Sequence, residues 1–216
     1  MGIMEIVADK ILLHANIILY GNAATEALAL AVANDINEQW NRPKAVVQIK
    51  ENNFLFTVKT VGIFAPDLKP EEIFENDNPG NNYFRVEVKA AGNISYVDGL
   101  GSNTGYFQLD NILNNNTTAA HEFGHTLGLA HPTDLDIRHK DSPGIMYPRG
   151  SLVQPQFQYD PTVAPGTIGG TMNPIHRLVT QEDVDDLNIR NLDFNELDNA
   201  VIGAFTSVWH EEESQI

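Results

Sequence analysis

The 216-residue chain carries 13 Lys and Arg against 29 Asp and Glu, a formal net charge of −16, which excludes DNA and other polyanions as partners. With 42% hydrophobic and 19% charged residues, it has the material for a core in one large domain or two small lobes. It has no cysteine, so disulfides, thiolate zinc sites and cysteine nucleophiles are excluded.

The opening "MGIMEIVADKILLHANIILYG" does not read as a signal peptide. Its first charges are Glu5 and Asp9, and His14 and Asn16 interrupt its apolar run. No stretch approaches the roughly 18 apolar residues of a membrane-spanning helix. "KILLHANIILYG" predicts a strand ending at Gly21. Residues 22–41 predict a helix capped by Asn22, with Ala27, Leu28, Ala31, Val32, Ile36 and Trp40 at helical spacing. Residues 44–65 predict a hairpin about Asn52 and Asn53, and residues 67–82 a polar loop. "NYFRVEVKAA" and "NISYVDGL" predict two strands, "GSNTG" a turn and "YFQLD" a short strand. Residues 117–130 predict a helix with Asn114, Asn115 and Asn116 as available caps. Residues 132–176 hold most of the prolines and predict a long irregular segment. "TQEDVDDLNIRNL" predicts a closing helix capped by Thr180, and the tail from residue 193 another helix. The order implies an α+β domain, a mixed twisted sheet with one buried helix beneath it.

"HEFGHTLGLAH", His121 to His131, uses three of the chain's 7 histidines. His121 and His125 lie one helical turn apart on one face, where both imidazoles reach one ion. Glu122 stands at the rim of that face. Gly128 allows the helix to end and the chain to turn, so that His131 comes back to the same ion. Five fixed positions would arise by accident with a probability on the order of 10⁻⁵. Three neutral histidines leave zinc a fourth, open position, the mark of a catalytic site. Glu122 is placed to take a proton from water there and hand it to a leaving amine.

The stretch resembles the zinc signature of the metzincin metallopeptidases. "SPGIMYP", Ser142 to Pro148, is similar to their methionine turn, with Met146 as a hydrophobic floor beneath the metal. "TAAHEFGH", "IMYP" and "HRLVTQEDVDDL" most resemble the matrixin (matrix metalloproteinase-like) branch, while Pro132 after the third histidine is similar to the serralysins. The chain departs from the matrixins in a longer segment from His131 to Met146 and in an insertion from Arg149 to His176. It also lacks the histidine-and-aspartate pattern of their structural zinc. The resemblance implies a zincin-like catalytic domain, with an N-terminal lobe over 1–128 and an irregular C-terminal lobe over 129–216 closed by a helix. It implies a zinc endopeptidase, with the residues after Met146 walling the main side-chain pocket.

The expected cofactor is one catalytic Zn²⁺ on His121, His125 and His131, with Gly128 and Met146 as structural support. The expected partner is a protein or peptide bound extended along an edge strand, for which "NISYVDGLG" is the candidate. No nucleic acid partner and no membrane span are expected, and a monomer is favoured. Arg149 is expected to face water, as are His139, His176 and His210, and His14 to be a strand residue. Acidic and glycine residues from Asp98 to Gly105 offer a possible Ca²⁺ site. Some metzincins add a tyrosine ligand two residues after the turn methionine. That position is Pro148 here, and Tyr147 is expected to point away from the ion. The competing readings are a delivered toxin or effector protease and a zinc-retaining binding module, against which Glu122 speaks. The protein is expected to act outside the producing cell, and cysteine-based latency is impossible within this chain.

Overall fold

Alternation of buried and exposed side chains sets the sheet from its first strands. β1 (Gly2–Val7) and β2 (Lys10–Tyr20) form an antiparallel hairpin. Ile11, Leu13, Ala15, Ile17 and Leu19 of β2 are all buried on one face, as the strand period of two requires. The sequence reading missed β1, whose apolar residues Met4 and Ile6 are separated by Glu5. The computed structural model describes residues 1–89, 91–113 and 116–211.

Next comes α1 (Glu26–Asn41), which buries Leu28, Ala29, Val32, Ala33, Ile36 and Trp40. Ala27 and Ala31 fall on its exposed side. Its cap is Thr25, whose hydroxyl accepts the Leu28 amide at 3.1 Å. The expected cap, Asn22, belongs to the preceding turn, where its amide donates to Glu87 Oε1 at 3.0 Å. β3 (Val46–Ile49) and β4 (Asn52–Phe64) form the expected hairpin, but its turn is Lys50–Glu51. Asn52 and Asn53 are strand residues, paired with Ile49 and Gln48.

The expected polar loop contains α2 (Pro70–Phe74), with proline suited to the first turn. β5 (Asn81–Glu87), β6 (Tyr96–Val97) and β7 (Thr104–Gln108) follow. "NISYVDGL" thus keeps only two strand residues, and the expected turn yields Thr104 and Gly105 to β7. After α3 (Leu109–Ile112) comes α4 (Thr118–Thr126), shorter than the predicted helix. Of its expected caps, Asn116 accepts the Thr118 amide at 3.2 Å, while Asn114 and Asn115 lie outside the described residues. Residues 132–176 are irregular as expected, with single 3-10 turns at Pro155–Phe157 and Pro174–His176. Thr180 caps α5 (Gln181–Asp186), and Asp183 Oδ2 accepts the Thr180 amide at 2.7 Å.

The tail departs from the expected helix. Asn199–Ile202 form β8, antiparallel to β1. Ala200 and Ile202 are buried and Val201 exposed, so the period there is two. Residues 203–211 have no regular helix, and 212–216 lie outside the described residues.

The class is α+β, with a mixed sheet in the order β3-β4-β2-β5-β7-β6. One edge of β2 runs parallel to β4. The other is shared between β1, antiparallel at its start, and β5, parallel at its end. α1 and α4 pack with the sheet's buried face in one apolar cluster. The outer edge of β3 is closed by a side chain: the Gln181 carboxamide accepts from Val46 N and donates to Val46 O, both at 2.9 Å. Among the described residues no helix is long and apolar enough to cross a membrane.

One acid in α1 sets a pH dependence. Burial first, and then the neighbouring Glu38, push the Asp35 carboxyl from 3.8 up to about 6. A carboxyl whose folded pKa is raised costs stability above that pKa and nothing below the unfolded one. Asp35→Asn should therefore stabilise the protein at pH 7 by about 1 kcal/mol after discounting for partial exposure. Urea unfolding at pH 7 and pH 4 checks this; the gain should shrink toward zero at pH 4, and an equal gain at both contradicts it.

Candidate metal centre

The centre is built on α4. Every residue of this helix except His125 is buried. The Trp40 indole of α1 donates to Ala120 O at 3.0 Å and its ring meets Phe123 edge-on, fixing α4 against α1. Leu127 ends the helix, and Gly128 takes φ 96. Gly128 N then donates to His125 O at 3.0 Å and Leu129 N to Gly124 O at 3.1 Å, the bond pair of a Schellman turn. This reversal returns the chain to His131.

The three rings converge. His131 Nε2 lies 3.1 Å from both His121 Nε2 and His125 Nε2. His121 Nδ1 faces Ile145 O and His125 Nδ1 faces Leu129 O, each at 2.7 Å. A carbonyl can only accept, so both rings carry their proton on Nδ1 and leave Nε2 as a lone pair. Burial, then the charge of Arg177, holds His121 and His131 below the usual imidazole range, and burial holds His125 down at about 4. Neutral imidazoles are what a metal requires. The three histidines lie close enough to bind one metal ion. Nitrogen atoms at about 2.0–2.1 Å from a tetrahedral ion are roughly 3.3 Å apart, close to the spacing seen.

Glu122 is buried beside the triad. Burial raises its carboxyl to about 8, against the opposing charges of Arg177 and Arg149. Met146 lies under the helix, and a Cβ on Gly124 would overlap its Sδ. Tyr147 turns away from the triad. Its ring packs with Ile137, Val153 and Met172, and its hydroxyl accepts from Lys140 Nζ at 2.9 Å.

A cavity of about 730 Å³ opens over the triad and Glu122, walled by Tyr96, Val97, Leu100, Pro148, Arg149 and Arg177. β6, in the stretch expected to be the edge, ends the sheet on this side. Arg149 lines the cavity and does not point to open water, because its Nη2 donates to Asn111 Oδ1 at 2.8 Å. Sequence reasoning missed Arg177 altogether. It is 2% exposed and ties the start of α4 to the segment that follows Met146. Its Nε donates to Thr117 Oγ1 at 3.0 Å and its Nη1 to Tyr147 O at 3.2 Å. Nothing local in "HRLV" marks it; only the rarity of cations in so acidic a chain could have drawn attention to it.

The other histidines stand apart from the triad. His139 is exposed and His14 is a half-buried strand residue. His176 is half-buried against Phe157, and His210 is enclosed, so neither faces open water as expected. His210 Nε2 meets Asp98 Oδ2 at 2.9 Å, and its ring stands edge-on to Tyr96 and Tyr106. Asp98 Oδ2 also accepts from Thr104 Oγ1 at 2.5 Å. Asp98, the one acidic residue of the suggested Ca²⁺ site, is thus engaged by Thr104 and His210, and among the described residues only the triad gathers three metal-ligating side chains.

Two outcomes follow from this geometry. Gly124→Ala should displace Met146 and destabilise the fold by about 1–3 kcal/mol, measurable by urea unfolding, whereas the double variant Gly124→Ala with Met146→Ala should recover part of the loss. Tyr147→Phe should leave the absorption of a copper-loaded form unchanged. A tyrosinate-to-copper band that vanishes in this variant would place Tyr147 on the metal.

No protein-family model matches the chain, and no curated protein matches it.

Proposed function

We propose that the chain is a zinc-dependent endopeptidase of zincin-like, metzincin-type fold. The observation that carries this reading is a buried Glu122 carboxyl next to three imidazoles whose Nε2 atoms converge in an open cavity. The donor set of three neutral histidines fits zinc with a position left for solvent or substrate. Bound zinc would supply a Lewis acid that polarises a peptide carbonyl and acidifies water. The resemblance of residues 121–131 and 142–148 to the metzincin signature and methionine turn supports the same reading.

The chain's own residues divide the work. His121, His125 and His131 hold the ion, and the Ile145 and Leu129 carbonyls orient the first two rings. Glu122 accepts a proton from water and returns it to the leaving amine nitrogen. Burial raises the proton affinity of this carboxyl, and Arg177 and Arg149 oppose the rise. Val97 of β6, the strand at the end of the sheet, lines the cavity along which an extended substrate would run.

Glu122→Ala should keep the fold and the metal while losing about 10²–10⁴-fold in peptide hydrolysis. Elemental analysis should find one zinc per chain, and His125→Ala should bind it far more weakly. Comparable turnover by Glu122→Ala on the same peptide would end the mechanism. A wild-type protein that binds zinc but cleaves nothing in a proteome digest would leave the binding-module reading standing.

A further inference from the structure

The cavity over the triad contains two arginines and only one carboxylate, Glu122, among its lining residues. Neither arginine is ion-paired among the described residues. Arg177 donates to a hydroxyl and a carbonyl, and Arg149 to a carboxamide, all neutral acceptors. The Nη2 of Arg177 has no hydrogen-bond partner among the described residues. The same fold treats its other buried arginine differently, placing Arg85 Nη2 2.6 Å from Glu87 Oε1. Glu122 attracts Arg177 more strongly than Arg149 repels it, so the one carboxylate offsets one guanidinium, and the cavity keeps an excess of one cation for an incoming anion to meet. This occurs in a chain with 29 acidic and 13 basic residues, where carboxylates were plentiful. Ile94, Val97, Leu100 and Pro148 give the wall an apolar part, with Ser95 and Thr118 as its neutral polar members. A cavity with apolar walls and two guanidinium groups has the chemistry to receive a short side chain tipped with a carboxylate.

We propose that this cavity selects an acidic side chain, so that preferred substrates carry Asp or Glu beside the scissile bond, held by Arg149 and Arg177. The part about cleavage rests on the peptidase reading; the carboxylate preference does not. The free donors of the two guanidinium groups hold the carboxylate, and the isosteric amide, which lacks the charge, binds less tightly.

The test uses the zinc-loaded full chain and short peptide hydroxamates ending in a glutamyl, glutaminyl, leucyl or lysyl residue, with binding measured by calorimetry. The glutamyl compound should bind about tenfold or more tightly than the glutaminyl one. Arg177→Gln should abolish that ratio and Arg149→Gln should reduce it. Arg149→Glu should shift the preference toward the lysyl compound. If circular dichroism shows that Arg177→Gln does not fold, the two Arg149 variants still decide the matter. Equal or tighter binding of the leucyl or glutaminyl compound by the wild type overturns the proposal and leaves the arginines as a counterweight to Glu122. Cleavage-site profiling on a peptide library forms the second arm. Enrichment of Asp or Glu at one position flanking the cut supports the proposal, and apolar residues there overturn it while leaving the peptidase intact. A glutamyl preference in binding with no cleavage of any peptide supports the carboxylate pocket and refutes the peptidase.

Discussion

On an uninterrupted helix, His131 would lie about 15 Å along the axis from His121, beyond reach of a shared ion. The helix must stop after its second histidine and reverse within a few residues. Gly128 with its positive φ and the two bonds of the Schellman turn perform that reversal. Other features of the centre follow from it. The turn brings Leu129 O to His125 Nδ1, so the device that ends the helix also sets the tautomer of one ring. It also leaves His131 the most exposed of the three, on the cavity side.

A helix of 9 residues is too short to persist alone in water. α4 exists because its surroundings hold it. Trp40 binds it from α1, Met146 fills the space left by Gly124, and Arg177 grips its start through Thr117. Most of these supports come from far along the chain. The burial that stabilises α4 also strips water from His121 and Glu122, so packing and electrostatics at the centre cannot be separated. Neutral imidazoles and a basic carboxylate are consequences of that one enclosure.

What was legible in the sequence was local and periodic. The spacing of the histidines, the glycine after the helix, the methionine turn and the Thr180 cap are each readable within a dozen residues. The β2 strand, the hairpin that follows α1 and the α+β class came from apolar patterning. What stayed hidden depended on distant partners. Nothing near Arg177 announces that it grips Thr117, and nothing near His210 points to Asp98, 112 positions away. β8 was hidden for the same reason, because four residues become a strand only when β1 is beside them. Thr25 and not Asn22 is the cap because the helix begins only at Glu26, while the backbone amide of Asn22 is held in the preceding turn by Glu87, a residue of β5.

The carboxamide of Gln181 offers the same donor and acceptor as a peptide group, and it meets both hydrogen-bonding groups of Val46. A single side chain thereby imitates one rung of a neighbouring strand. Open sheet edges invite other chains to add themselves, and this is a common beginning of aggregation. The first helical residue of α5 therefore acts as a guard on the outermost strand, so that resistance to self-assembly depends on the docking of the C-terminal helix. Loosening that helix by heat or by a nick in the long irregular segment before it would uncover Val46 at the sheet's outer edge.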